Sequence, residues 1–307
     1  MLLRFLFISL MALNGFKACN AWSADADINT QLNACNKAML AGDAATALDI
    51  SNTVLAQDQE NRVALLCKGR ALDGLGRYAE SLAVLNTAEA SAQTPLDHII
   101  ALTLIGNVQR DSKQYTEAQA SYEKSLALTR TEKNTHFERI DLNLIGDTLL
   151  ATKQAQQGLD SYLAASKLAA NDNERAEGFE KIAFSYQVMK NYDKAIEYQI
   201  KAFLMQEQAG NLEDYVNAGL ELGAIYSAAG DYANAERYIN KMLKLSRDNG
   251  GAYWEAKSEY YLALNNIANQ KPADAKPLLL DAQKISADLG AKLLNEQIGS
   301  TLNTLPK

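Results

Sequence analysis

The sequence predicts an all-α fold, a right-handed α-solenoid of about seven tandem helix-turn-helix repeats closed by a C-terminal capping helix. Three observations predict it. One short pattern of large, small and aromatic residues recurs along most of the 307 residues. The composition favours helix, with abundant Ala, Leu, Gln, Glu and Lys and only four prolines. Most copies carry a turn signal, Gly or Lys-Asn, then Asp or Glu early in the next segment, as helix ends and starts do. At 48% hydrophobic residues the chain can bury a core, and no charge block or low-complexity tract marks bulk disorder. The net charge of −7 argues against general nucleic-acid binding, which needs clustered Lys and Arg.

Taken in order, residues 1–24 read as a secretory signal. Arg4 gives a short positive start, Phe5 to Leu13 is apolar, Asn14-Gly15 breaks the run, and small residues follow around Ala18 to Ala26. The run is too short to span a bilayer, which takes about 20 apolar residues. Cleavage fits at Cys19-Asn20-Ala21 or at Ala24-Asp25-Ala26. A lipoprotein anchored at Cys19 is one alternative, although Phe16-Lys17-Ala18 lacks the usual aliphatic and small residues before the cysteine; an uncleaved helix is another. The mature chain is then exported, to a periplasm or beyond, with no transmembrane segment.

Export changes the cysteine reading. Cys19 leaves with the signal, and Cys35 and Cys67 remain as an even pair in an oxidising compartment. They fall at nearly equivalent positions on the first helices of the first two repeats. A bridge there would staple the terminal repeat to its neighbour; two buried thiols packing as small hydrophobes is the alternative. Two cysteines without histidine neighbours make no metal site.

The repeat array occupies residues 25–285. In each copy a large apolar residue precedes a small one. A turn residue comes seven later, usually Tyr two after that, and a small residue three beyond on a second helix. Leu222-Gly223 leads to Gly230-Asp231-Tyr232, Ala235, Ile239 and Met242; Ile182-Ala183 to Lys190-Asn191-Tyr192, Ala195, Gln199 and Ala202. Ile105-Gly106 leads to Lys113-Gln114-Tyr115, Ala118 and Tyr122; Ile145-Gly146 to Gln154-Ala155, Gly158 and Tyr162. Gly76-Arg77-Tyr78 leads to Ser81 and Leu85, and worn copies run from Gly42-Asp43 and from Leu262-Ala263 through Pro272. The small residues let the two helices of a pair approach closely, and a lone pair cannot bury its apolar face, so the stack holds itself together. Residues 286–307 follow as a capping helix and tail. Ser286 to Thr304 is expected to be helical, with Leu289, Leu293, Leu294 and Ile298 at helical spacing.

This pattern resembles the tetratricopeptide repeat (TPR) family, which pairs Leu-Gly, Tyr, Ala, an aromatic and Ala at these offsets. The likeness covers roughly residues 28–287. Departures are Ala155 for Tyr, Gly158 and Ser81 for Ala, and a frequent lack of the closing Pro. Gly106, Gly146, Ala183 and Gly223 are 40, 37 and 40 residues apart, longer than the common period of about 34, as in the long-helix branch of the family.

The resemblance implies a concave groove lined by the first helix of each repeat. Positions two residues after the apolar member of the Leu-Gly pair face it: Asn36, Arg70, Asn107, Asp147, Phe184, Ala224 and Leu264. One turn away lie Arg110, Asn143, Glu180, Gln187 and Tyr260. The expected groove is polar toward the N-terminus and more apolar toward the C-terminus. Asn side chains can grip a peptide backbone, and Arg70 and Arg110 could receive a carboxylate. Some members clamp a peptide's terminal carboxylate with Lys, Asn and Arg; Asn107 sits at a matching position, but Thr103 and Asn143 stand where lysines would be.

Catalytic patterns are missing. The sequence has no His-Glu-x-x-His, no Gly-x-Ser-x-Gly and no phosphate loop. Gly74-Leu75-Gly76 falls at an inter-helix turn, His98 and His136 near helix starts, and Asp43, Asp193 and Asp231 read as helix caps. No cofactor is implied. The reading is a non-enzymatic, exported scaffold or adaptor for protein or peptide segments, in envelope assembly, secretion or localisation, possible partners including a multiprotein envelope complex. A peptide-sensing receptor module is the alternative.

Overall fold

A computed structural model describes residues 27–305; the expected signal segment, its cleavage points and Cys19 lie outside them. Among the described residues every regular element is a helix. The first, α1, covers residues 27–40. Then come α2 (Ala44–Gln57), α3 (Arg62–Gly74), α4 (Tyr78–Ala90), α5 (Pro95–Asp111), α6 (Tyr115–Thr131) and α7 (Thr135–Ala151). They are followed by α8 (Ala155–Ser166), α9 (Asp172–Val188), α10 (Tyr192–Ala209), α11 (Leu212–Ala228) and α12 (Tyr232–Asp248). The last are α13 (Ala252–Ala268), α14 (Pro272–Asp288) and α15 (Lys292–Thr304). Short turns make consecutive pairs from α1/α2 to α13/α14, and α15 follows unpaired, which meets the expected fold class. Two compact units divide inside α7, between Asp141 and Leu142.

The small residues do what the repeat pattern requires of them. A methyl group added at Gly106 would lie 2.4 Å from the Tyr122 ring, and one at Gly146 would lie 2.5 Å from the Tyr162 ring. Ala118, Ala195, Ala235 and Ala275 meet the partner helix from the other side and are fully buried. Where Ser81 replaces that alanine, its hydroxyl donates to the Gly69 carbonyl at 2.7 Å, so the buried oxygen is satisfied.

The recurring turn residue is in the left-handed region in all seven pairs, from Gly42 to Gln270. Gly76 and Gly230 have φ of +72° and +84°, and Lys113 and Lys190 have φ of 64° and 60°. Glycine adopts this region freely, whereas a lysine costs about 1 kcal/mol there. The backbone closes the turn in the same way for both: Lys113 N–H donates to the Arg110 carbonyl at 2.8 Å and Gln114 N–H to the Gln109 carbonyl at 2.7 Å. Tyr78, Tyr115, Tyr192 and Tyr232 then open the second helices.

Asp43 and Asp231 cap α2 and α12 through their side chains. Asp193 does not cap: Asn191 accepts from Lys194 N–H, and Asp193 sits in the first turn, where its charge suits the helix dipole. The C-terminal segment also differs from expectation. Ser286 lies inside α14, which ends at Asp288; Gly290 turns the chain at φ +66°, and only then does α15 begin. Leu294 and Ile298 bury the capping helix against α14, while Leu293 is 78% exposed.

In the first unit the Cys35 and Cys67 side chains meet between α1 and α3 in disulfide geometry, with Cα atoms 6.5 Å apart. A fully buried carboxylate, Asp141, lies 3.2 Å from the Thr103 hydroxyl. Burial pushes it up to about 6, with the Ser125 and Thr103 hydroxyls pulling the other way.

Two stability measurements follow from this packing. Alanine in place of a helical glycine ordinarily stabilises, but Gly106→Ala is expected to lose about 1 to 3 kcal/mol in a urea titration, because the methyl overpacks against Tyr122. The double variant Gly106→Ala/Tyr122→Leu should recover part of that loss. Replacing Cys35 and Cys67 together by alanine should lower stability by about 3 to 4 kcal/mol, from the loop the bridge would close. Non-reducing mass spectrometry of the purified chain should show no free thiol at either position.

Candidate functional site

In the second unit the first helices of three successive pairs, α7, α9 and α11, line a cavity of about 570 Å³ together with one residue each from α8 and α10. That volume is in the range of small-ligand and side-chain sites. Leu150, Phe184, Val188 and Ile225 give it apolar surface, and Phe184 is 54% exposed. Asp147, Glu180, Lys181, Gln187, Gln199 and Glu221 give it polar surface.

Pair packing sets the α7 side. Tyr162 of α8 lies over Gly146, and its hydroxyl donates to Asp147 Oδ1 at 2.6 Å. Lys181 Nζ reaches the same oxygen at 2.9 Å, with its ammonium 5.3 Å from the centre of the Tyr162 ring. Burial and the Asp147 charge both raise the Tyr162 phenol, so it remains a donor. The same motif occurs in the first unit, where Tyr122 donates to Asn107 Oδ1 at 2.8 Å.

By repeat spacing the α10 position equivalent to Tyr162 is Gln199, a shorter side chain that lines the cavity. Gln199 is 2% exposed, and its Nε2 donates to the Ala218 carbonyl of α11 at 3.0 Å. On α9, burial pushes Glu180 up to about 7, the carboxylates of Asp214, Glu221 and Glu177 add to the rise, and a Gln206 hydrogen bond opposes it. On α11, Glu221 Oε1 accepts from the Tyr261 hydroxyl at 2.5 Å.

The residues expected from sequence fall into separate places. Asp147, Phe184 and Gln187 line this cavity with Glu180. In the first unit Arg70 and Asn107 line a cavity of about 190 Å³ beside Asp73, which burial and the Asp111 carboxylate push up to about 6. Arg70 Nη1 also reaches Asn36 Oδ1 at 3.4 Å, and Arg110 pairs with Asp111 at 3.0 Å. Asn143 is a buried core group, 7% exposed, with no protein partner for its Oδ1, and so offers no open surface. Tyr260 turns to the capping helix, 3.3 Å from the Thr301 hydroxyl, away from any shared cavity with Phe184. Ala224 is half-buried and Leu264 exposed, and neither lines the cavity. His98 Nδ1 lies 2.9 Å from Glu89 in the first turn of α5, and His136 packs edge-on against Phe137.

Sequence reasoning missed Lys181, Glu221, Tyr162 and Gln199 as cavity residues. Lys181 and Glu221 immediately precede Ile182-Ala183 and Leu222-Gly223, a position the two-residue offset skips. Because of them the second unit's cavity is charged as well as apolar, against the expected division of polar and apolar halves. Among the described residues no cluster of three or more His, Cys, Asp or Glu is arranged to hold a metal ion, and no helix is long and apolar enough to cross a membrane.

Tetratricopeptide repeat models match the chain in two places. They cover residues 174–248 and 101–135, and the first span contains Glu180, Lys181, Phe184 and Glu221. No curated protein sequence matches the chain. Among solved structures, the apo form of RapI is 13% identical, with a TM-score of 0.65, over 91% of this chain and 85% of RapI. A Rap protein complexed with Competence and Sporulation Factor is 13% identical, with a TM-score of 0.52, over 90% of this chain and 96% of that one. A STAND protein with a tetratricopeptide repeat sensor from Pyrococcus horikoshii is 15% identical, with a TM-score of 0.70, over 89% of this chain and 44% of that one. At these identities the likeness is one of fold, and the fold is a TPR-type helical array.

The Glu180 environment has a measurable consequence. A carboxyl raised from 4.5 to about 7 in the folded chain binds its proton more tightly folded than unfolded. It therefore lowers stability progressively as pH rises from about 4.5 to 7, and the loss is complete above that. Glu180→Gln should remove this slope, gaining about 1 to 3 kcal/mol at pH 8 and little at pH 4.5, as read by urea titration at both pH values.

Proposed function

We propose that this protein is a non-enzymatic scaffold or adaptor that holds an extended protein or peptide segment in the α7/α9/α11 cavity. The observation that carries the reading is the exposed Phe184 ring beside buried polar groups, in a cavity built by the first helices of consecutive pairs. An exposed aromatic next to fixed hydrogen-bonding groups is the usual anchor of a recognition surface. The TPR-type fold supports a binding role over catalysis. The likeness to a Rap protein solved with Competence and Sporulation Factor supports a second reading, a peptide-sensing receptor module that uses the same cavity.

Export to a periplasm or beyond, with work in envelope assembly, secretion or localisation, is part of the proposal. The signal-like start and the Cys35–Cys67 geometry support it, since disulfides persist in oxidising compartments. Sequencing the mature N-terminus from an envelope fraction tests it. A start between residues 19 and 27 is expected, and a chain beginning at Met1 in the cytosolic fraction would refute export.

Binding is tested with a partner captured from that fraction and then purified. Phe184→Glu should weaken the partner at least tenfold in a direct titration without changing the circular dichroism. Arg70→Ala with Asn107→Ala, in the other unit, should have the smaller effect. Equal affinity for the Phe184 variant and the parent chain would remove this cavity from consideration. A stable complex with a large partner favours the scaffold, and thermal stabilisation by short peptides alone favours the receptor.

A further inference from the structure

We infer that the α7/α9/α11 cavity receives a basic side chain, lysine or arginine, from an extended peptide whose neighbouring residue is apolar. The inference rests on the reading of this cavity as a segment-binding site and names the chemistry of the segment.

The cavity offers acceptors and negative charge. Asp147, Glu180 and Glu221 line it against one ammonium, Lys181, which is already held by Asp147 at 2.9 Å. The charges that act on Glu180 are all carboxylates: Asp214 and Glu221 from α11, and Glu177 from α9 itself. From α10 the neutral amide of Gln206 acts on it. Lys257 is the cation that acts near Glu221, and it is bonded to Asn217 Oδ1 at 2.7 Å with its ammonium 4.9 Å from the Trp254 ring centre. Gln199 adds an independent observation. It is 2% exposed and lines the cavity, and bonding to the Ala218 carbonyl uses its amide nitrogen. That bond occupies the amide nitrogen, and the amide's carbonyl oxygen is the acceptor it can offer to a donor entering the cavity.

A guanidinium or ammonium supplies both the donors and the charge that this lining lacks. A carboxylate or phosphate would meet Glu180 and Glu221 and be repelled. Phe184 and Val188, exposed at the same cavity, suit the aliphatic stem of a basic residue and an apolar neighbour. Binding should also move a proton. Glu180 is raised to about 7 in the free chain, and a cation beside it favours the ionised form. Uptake of the basic group at pH 6 therefore releases a proton, and affinity rises as pH increases through about 7.

The test is calorimetric titration of the full chain with N-acetylated, C-amidated pentapeptides. They carry arginine, citrulline or glutamate at the centre, with the flanking positions varied among Leu, Ile and Phe. Arginine peptides should bind at least about tenfold more tightly than their citrulline twins at pH 8, and glutamate peptides should bind most weakly. At pH 6, heats measured in buffers of different ionisation enthalpy should show release of a substantial fraction of one proton. Glu180→Gln should remove the proton release and reduce the arginine preference without lowering the melting temperature. Glu221→Gln is the second variant, with the same effect on preference expected. Equal binding of arginine and citrulline peptides, tighter glutamate binding, or no binding by any peptide overturns the basic-side-chain inference. If Phe184→Glu still weakens the captured partner in those cases, the binding site stands and only its chemistry is wrong. If that variant is silent too, the site itself falls.

Discussion

The close approach of the two helices in each pair is the constraint on which the rest depends. Gly106 and Gly146 admit the Tyr122 and Tyr162 rings to within contact of the backbone, and Gly223 does the same for Ile239. At such distances a single methyl group has nowhere to go, because protein interiors are packed at crystal density. The buried alanines on the second helices complete the same contact from the other side. Fixing the pair geometry also fixes which positions of the first helix are left over for neighbouring pairs and for solvent.

The cavity is a local departure from that rule. Tyr162 fills the position over its glycine and anchors Asp147, and Asp147 in turn holds Lys181. One pair later Gln199 stands in the tyrosine's place over Ala183. This amide lines the cavity and satisfies its own nitrogen on the next helix at Ala218. A core position thereby supplies one polar group of the site. Glu180 shows the energetic consequence: a half-buried carboxyl crowded by other carboxylates is an unfavourable arrangement for stability alone. Such arrangements persist where a ligand relieves them.

Much of this was legible in the chain itself. The number of pairs, the tyrosines that open the second helices, the positions of the turn residues and the small contact residues all follow from one local pattern. Residues within a single helix hairpin see each other at short sequence separation, so spacing is enough to place them. Asp147, Phe184, Gln187 and Glu180 were legible as groove positions for the same reason. What misled was relying on spacing for orientation. Asn143 and Tyr260 share a register position with Glu180, yet Asn143 is sealed in the core and Tyr260 covers the capping helix, because their neighbours differ.

The sequence alone determined the all-α class, the helix-pair repeat and the two cysteines capable of meeting, since each is encoded by residues close along the chain or by simple periodicity. Only the tertiary structure decided that α14 runs on through Pro277 to Asp288, with Leu279 and Ala282 beyond the proline fully buried. It alone decided that Lys181 is held by Asp147, 34 positions away, while Glu221 is held by Tyr261, 40 positions away. Those partners sit on helices from adjacent pairs, and the choice between them depends on how the pairs stack, which no spacing within one repeat contains.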